Sequence, residues 1–173
     1  MEYNDQNNET ELNNIIDESL YYRTFFGKSA DYYEKIYKRL LAGESIIFNP
    51  YAFLFSIFWL AYRKMYIELI ILVLGIGFLN NFILFVLGIY TYKATLFTGI
   101  ILTSCYGNVF YMKKAQRTVK RAKEMYVSTE AQLDNIEQEG GVSLVGPAVV
   151  AFAVFVLTIG IYAFTNYMKS LYF

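Results

Sequence analysis

The sequence predicts an all-α integral membrane bundle with three spans, a re-entrant or interfacial aromatic helix, and short cytoplasmic amphipathic helices. Three observations carry that prediction. Of the 173 residues, 56% are hydrophobic and only 17% charged, against about 25% charged in an ordinary soluble domain. Three long uncharged runs follow one another from residue 69 onward. Clusters of Lys and Arg stand at the ends of those runs rather than inside them, as expected where a chain enters and leaves a bilayer.

Taken in order, residues 1–14 are predicted to be a disordered acidic tail, since residues 1–20 hold six acids, five Asn and no Lys or Arg. No apolar run there resembles a signal peptide. Residues 15–45 are predicted to form cytoplasmic amphipathic helices. Leu12, Ile15, Ile16 and Leu20 would begin the first. Gly27-Lys28-Ser29 marks a turn with Ser29 as N-cap, and Tyr33, Ile36, Tyr37, Leu40 and Leu41 give the second helix one apolar face ending at Gly43.

Residues 46–112 are predicted to hold the aromatic helix and the first two spans. Asn49 followed by Pro50 reads as N-cap and first helical position, and about twelve residues remain before Arg63-Lys64, too few to cross. Six of the twelve are aromatic, so the segment is read as interfacial or re-entrant. The first span runs from about Met65 to Phe85. It passes through Asn80-Asn81, because the apolar stretches on either side are too short to cross separately. The second covers Ala94 to Met112, 19 uncharged residues. Residues 113–141 are predicted to be one charged cytoplasmic helix. Its Ala115, Val119, Ala122, Tyr126, Thr129, Leu133 and Ile136 form a heptad seam, better suited to docking on the chain's own front helices than to a self-dimer. The third span is placed in 142–168, within 29 uncharged residues between Glu139 and Lys169, leaving 169–173 as a short external tail. With the N-terminus cytoplasmic, thirteen of the 15 basic residues lie inside, the orientation that positive charge favours.

The candidate functional residues are not catalytic. There is no His and one Cys, Cys105, so a disulfide framework, a multi-thiolate metal site and His-based catalysis are absent from a single chain. No phosphate loop or nucleophile elbow is present, so no catalytic, cofactor-binding or metal-ligating residue is assigned. A net charge of zero argues against nucleic acid. Trp59, Tyr62, Arg63, Lys64 and Tyr66 are assigned to membrane anchoring: rings at the headgroup level, and cations whose long stems reach lipid phosphates. Lys64 and Glu68, four apart, are expected to pair on one helix face. Thr95, Gly99, Thr103 and Gly107 repeat every fourth residue, a stripe of small residues that lets another helix approach closely.

Four runs of residues resemble a known family. Phe26 to Tyr33 reads FGKSADYY, Phe48 to Phe53 reads FNPYAF, Trp59 to Tyr66 reads WLAYRKMY, and Gly107 to Tyr111 reads GNVFY. They are similar to the GKNAxYY, FNWAAF, WLLYRKMY and GNxLY elements of the bacterial membrane proteins of domain-of-unknown-function family 2628, over about residues 21–125. The chain departs from that pattern at Ser29, Pro50 and Ser56-Ile57. The resemblance implies a multi-pass protein of a bacterial plasma membrane and supplies no activity.

The expected function is therefore non-enzymatic: binding another membrane or cytoplasmic protein, as an accessory subunit or immunity factor would, or organising lipid. Expected partners are the bilayer and another membrane or cytoplasmic protein, with a homo-oligomer as a further option. The alternative is a small transporter or channel subunit that oligomerises, with Asn80, Asn81 and Asn108 along its path.

Overall fold

The structure, a computed structural model, describes residues 18–172. The predicted acidic tail, with Leu12, Ile15 and Ile16, lies outside the described residues. Among these residues every regular element is a helix. Helix α1 covers residues 18–26 and leads through a 3-10 turn, Gly27–Ser29, into α2, Ala30–Leu41. The rest are α3 (Pro50–Phe55), α4 (Ile57–Tyr62), α5 (Tyr66–Leu87), α6 (Tyr92–Met125), α7 (Thr129–Glu139) and α8 (Val145–Tyr172).

Helix α6 organises the fold. Its 34 residues make a rod about 51 Å long, and one face is buried along nearly its whole length, from Thr95 through Gly107 and Ala115 to Ala122. The first half of that face receives α5, the middle receives α3 and α4, and the last part receives α7, α2 and α1. The core sits on the middle and last parts, where Phe25, Tyr33, Ile47, Met65, Tyr111, Ala115 and Ile136 are fully buried.

Helix α5 is a single helix through Asn80 and Asn81, as expected. Asn81 donates to the Gly77 carbonyl one turn back (2.8 Å). The helix stops at Gly88, whose left-handed φ of 66° lets its N–H close on the Leu84 carbonyl. The return through α6 is antiparallel: Asn80 accepts from Thr91 at one end, and Glu68 meets Arg117 at the other.

The structure corrects five expectations. Two helices, α5 and α8, are long and apolar enough to cross a membrane, not three. The predicted second span is the first half of α6, where Thr95, Thr103, Ser104 and Asn108 dilute the apolar content. Those four side chains are buried against the rest of the protein, so the apolarity that a lone span requires is not required of this face.

The aromatic segment is two six-residue helices, not one of twelve. Asn49 caps α3 through Ala52 N–H (2.9 Å), with Pro50 at its first position. At Ser56 the backbone turns to φ 40°, ψ −111°, breaking the run before α4.

The charged segment 113–141 is also broken. Helix α6 ends at Met125, and α7 folds back on it with Ser128 as N-cap to Ala131 N–H. The seam is thereby closed within the chain: Ala115, Val119 and Ala122 face Ile136 and Leu133, and Tyr21 of α1 donates to Gln132 (2.6 Å). Ser29 precedes α2 but makes no capping bond; its hydroxyl accepts instead from Arg63 (3.3 Å). On α2, Tyr33 and Ile36 are buried, whereas Tyr37 and Leu41 of the predicted apolar face are exposed.

Helix α8 leaves the body at once. Its start is pinned where Ser143 N–H meets the Tyr62 carbonyl (2.8 Å) and Gly146 packs against Ala61, and every residue from 151 to 167 is exposed.

Candidate functional site

The predicted anchoring residues gather where α4 ends, α5 begins and α8 starts, but they do not act as a set of exposed anchors. Trp59 is buried, 4% exposed, with its ring over Gly107 and edge-on to Tyr111. Tyr66 is exposed, and Tyr62 is partly buried. Lys64 lies outside any helix at φ 55°, so the four-residue spacing to Glu68 is not a helical one and the expected pair does not form. Lys64 donates instead to the Gln138 carbonyl (2.8 Å), and Glu68 takes Arg117 (2.8 Å).

Arg63 departs furthest from expectation. Its guanidinium turns inward between the rings of Tyr33 and Tyr111, each centroid 5.2 Å away, with Tyr62 at 5.6 Å. Nη2 reaches Ser29, while Nε and Nη1 are buried without a partner. Cation–π contacts stabilise such an ion by about 2 kcal/mol when desolvated, but they leave those N–H groups unbonded. Burial pushes the Tyr33 hydroxyl well above its usual range, against the lowering influence of Arg63, so Tyr33 stays a neutral ring facing a cation.

Arg63 lines a cleft of about 610 Å³. The turn Lys28–Ser29 and the start of α2 form one wall, α3 and α4 form the other, and Pro147 of α8 closes an end. No Asp or Glu lines it.

A second polar centre fixes the cleft's far wall. Asn49, 1% exposed, donates through Nδ2 to Asn108 Oδ1 (2.8 Å), and its backbone N–H donates to the Ser104 carbonyl (2.8 Å). Asn108, fully buried, donates in turn to the Ile47 carbonyl and the Tyr32 hydroxyl (3.2 Å each). Of the other two asparagines, Asn80 accepts from Thr91 and Asn81 donates to the Gly77 carbonyl. Among the described residues no cluster of three His, Cys, Asp or Glu side chains could hold a metal ion.

The small-residue stripe is buried along its length, and it serves two neighbours. A Cβ on Gly99 would run into the tip of Ile76 on α5, and one on Gly107 would lie 3.0 Å from the Trp59 ring. An aliphatic tip can rotate away, whereas a packed indole cannot. Gly107→Ala is expected to cost about 1 kcal/mol and Gly99→Ala less, with Ile100→Leu near neutral. Thermal unfolding in mild detergent measures the order, and equal midpoints for all three would contradict it.

Sequence reasoning missed Tyr33, Tyr111, Ser29 and Lys28 as neighbours of Arg63, and Asn49 as the partner of Asn108. Conspicuous in the sequence are a run of two cations after an aromatic helix and a Gly-Asn pair inside an apolar run; their meeting depends on long-range packing.

A family model described as "Protein of unknown function (DUF2628)" matches residues 24–117. The matched stretch runs from the end of α1 to Arg117 and contains the whole cleft except Pro147. No curated protein matches the chain, and no solved structure does.

Proposed function

From the chain's membership of the DUF2628 family, which brings no activity with it, we propose a non-enzymatic protein of a bacterial plasma membrane. It binds and organises lipid at the inner surface. The observation that carries this reading is that three helices, α3, α5 and α8, expose apolar side chains around one body. Helices α5 and α8 start side by side, with Gly146 against Ala61 and the Tyr66 hydroxyl. Beside them α3 exposes Tyr51, Leu54 and Phe55. Exposed apolar surface of this kind marks an interaction site, and two helices of membrane-crossing length leave the same body.

Pairing supports three crossings. If α5 crosses, the antiparallel first half of α6 must return through the same layer, its polar residues turned to its neighbours. Helix α8 then crosses alone. The body and the basic residues Arg63, Lys64, Lys113 and Lys114 fall on one side, which positive charge assigns to the cytoplasm. Helix α3 then dips into the inner leaflet and presents its rings to lipid.

Spin labels at Leu54, Phe155 and Val127, each introduced as a single cysteine with Cys105 replaced by Ala, test the seating. Labels at Leu54 and Phe155 should be relaxed by oxygen and shielded from a water-soluble relaxant, and the label at Val127, in the α6–α7 turn, should show the reverse. A Leu54 label as water-accessible as the Val127 label would remove the lipid-binding surface.

A further inference from the structure

The cleft around Arg63 sets positive charge beside an apolar wall. Two cations face it, Lys28 at the rim and Arg63 at the floor, and no carboxylate balances either. The guanidinium has buried N–H groups without acceptors. A buried cation is costly unless paired and hydrogen-bonded, and here Ser29 and the Tyr33, Tyr62 and Tyr111 rings compensate it only in part, with no carboxylate among the residues that line the cleft. The opposite wall is of another kind: Phe55 and Phe58 line it with rings, and Phe55 continues onto the exposed face of α3.

We propose that this cleft binds the phosphate of an anionic amphiphile, with Arg63 and Lys28 donating to the phosphate oxygens and the apolar part lying along Phe55 and Phe58. The proposal rests on the membrane seating argued above, which makes a membrane phospholipid the source of the ligand. Arg63 is the principal ligand, because a guanidinium offers a planar fork that matches phosphate geometry, and its cage of Tyr33, Tyr62 and Tyr111 holds that fork in place. Lys28 acts as a point charge at the entrance.

Trp59, the single Trp of the chain, also lines the cleft and reports its occupancy. The test titrates the delipidated full chain in neutral detergent with short-chain phosphatidic acid, short-chain phosphatidylcholine and inorganic phosphate, following Trp59 emission. Phosphatidic acid should give a saturable change, with both other probes much weaker. Arg63→Gln should weaken phosphatidic acid by about tenfold or more, the loss of charge-assisted hydrogen bonds, and Lys28→Gln by a smaller factor. Arg63→Lys should recover part of the loss, and Lys113→Gln, outside the cleft, should change nothing. Circular dichroism checks that Arg63→Gln is folded, and the partial recovery in Arg63→Lys, which keeps a cation in the same aromatic cage, separates a lost ligand contact from a lost fold.

Equal titration curves for the parent and Arg63→Gln would overturn the site, and inorganic phosphate binding as tightly as phosphatidic acid would overturn the lipid. Either result leaves the spin-label depths untouched, so failure of the site and failure of the membrane seating are read separately.

Discussion

Gly140→Ala is expected to destabilise the fold by about 3 kcal/mol, through overpacking and the loss of a buried hydrogen bond together. A Cβ at this position would collide with the backbone of Phe25, and with the Ile136 carbonyl at 2.9 Å. Neither is the end of a flexible side chain, so relief requires moving α1 away from α7. That movement breaks the bond from Gly141 N–H to the Phe25 carbonyl (2.7 Å). It also loosens Phe25, which is fully buried and packed at 5.3 Å on Tyr111. The neighbouring Gly141→Ala is a different case, since nothing lies near its Cβ and only the φ of 63° opposes it; its cost should be about 1 kcal/mol. Chemical denaturation of the two variants should rank them in that order. Equal midpoints would mean that the α1–α7 contact is looser than the backbone approach implies.

Elements whose determinants are local were legible in the sequence. The start of α3 follows from Asn49-Pro50, and α5, expected over about Met65 to Phe85 because the apolar stretches beside Asn80-Asn81 are too short to cross separately, forms over Tyr66–Leu87. Errors arose where one pattern fits two structures. The seam from Ala115 to Ile136 keeps its spacing through Met125, yet a hairpin buries most of that stripe and leaves Thr129 exposed. Ser128, with Glu130 in the first turn after it, is an N-cap signal that marks the break. The first half of α6 is less apolar than a lone span for a related reason: Asn108 is satisfied by Asn49, Ile47 and Tyr32, residues distant in sequence, while Thr95, Thr103 and Ser104 bond carbonyls one turn back.

The site was half legible. An Arg-Lys pair at an apolar boundary pointed to the right place, but to the wrong direction for both side chains. Lys64 at φ 55° occupies a conformation that few residues other than glycine adopt, and no local signal announces it. The chain accepts it because the turn carries α4 into α5 while Met65 N–H closes on the Leu60 carbonyl (2.8 Å). Arg63 turns inward because Tyr33 and Tyr111, from two other helices, build an aromatic slot at that point. Composition alone cannot distinguish an arginine that snorkels from one that is caged.

Lys114→Met is expected to cost about 3 kcal/mol, the loss of two good hydrogen bonds from a charged donor. The ammonium donates to the Lys64 carbonyl (2.9 Å) and the Glu139 carbonyl (3.1 Å), with the Arg63 carbonyl at 3.4 Å. One side chain on α6 thus gathers the joint between α4 and α5 and the end of α7, the two places from which α5 and α8 depart. Burial lowers the Lys114 pKa from its ordinary value, ahead of the raising influence of Glu139 and Glu68, so these bonds form in a partly desolvated setting where each is stronger. Methionine keeps the length and most of the packing but removes every donor. Lys113→Met, one residue earlier and exposed, serves as the control and should change stability little. Because the joint sets the directions of α5 and α8, the Lys114 variant should also increase the mobility of a spin label at the start of α8, whereas the Lys113 variant should not. If both variants unfold at the parent's midpoint, the carbonyls are satisfied without the lysine, and the departure of the two apolar helices is held by Gly146 and Ser143 alone.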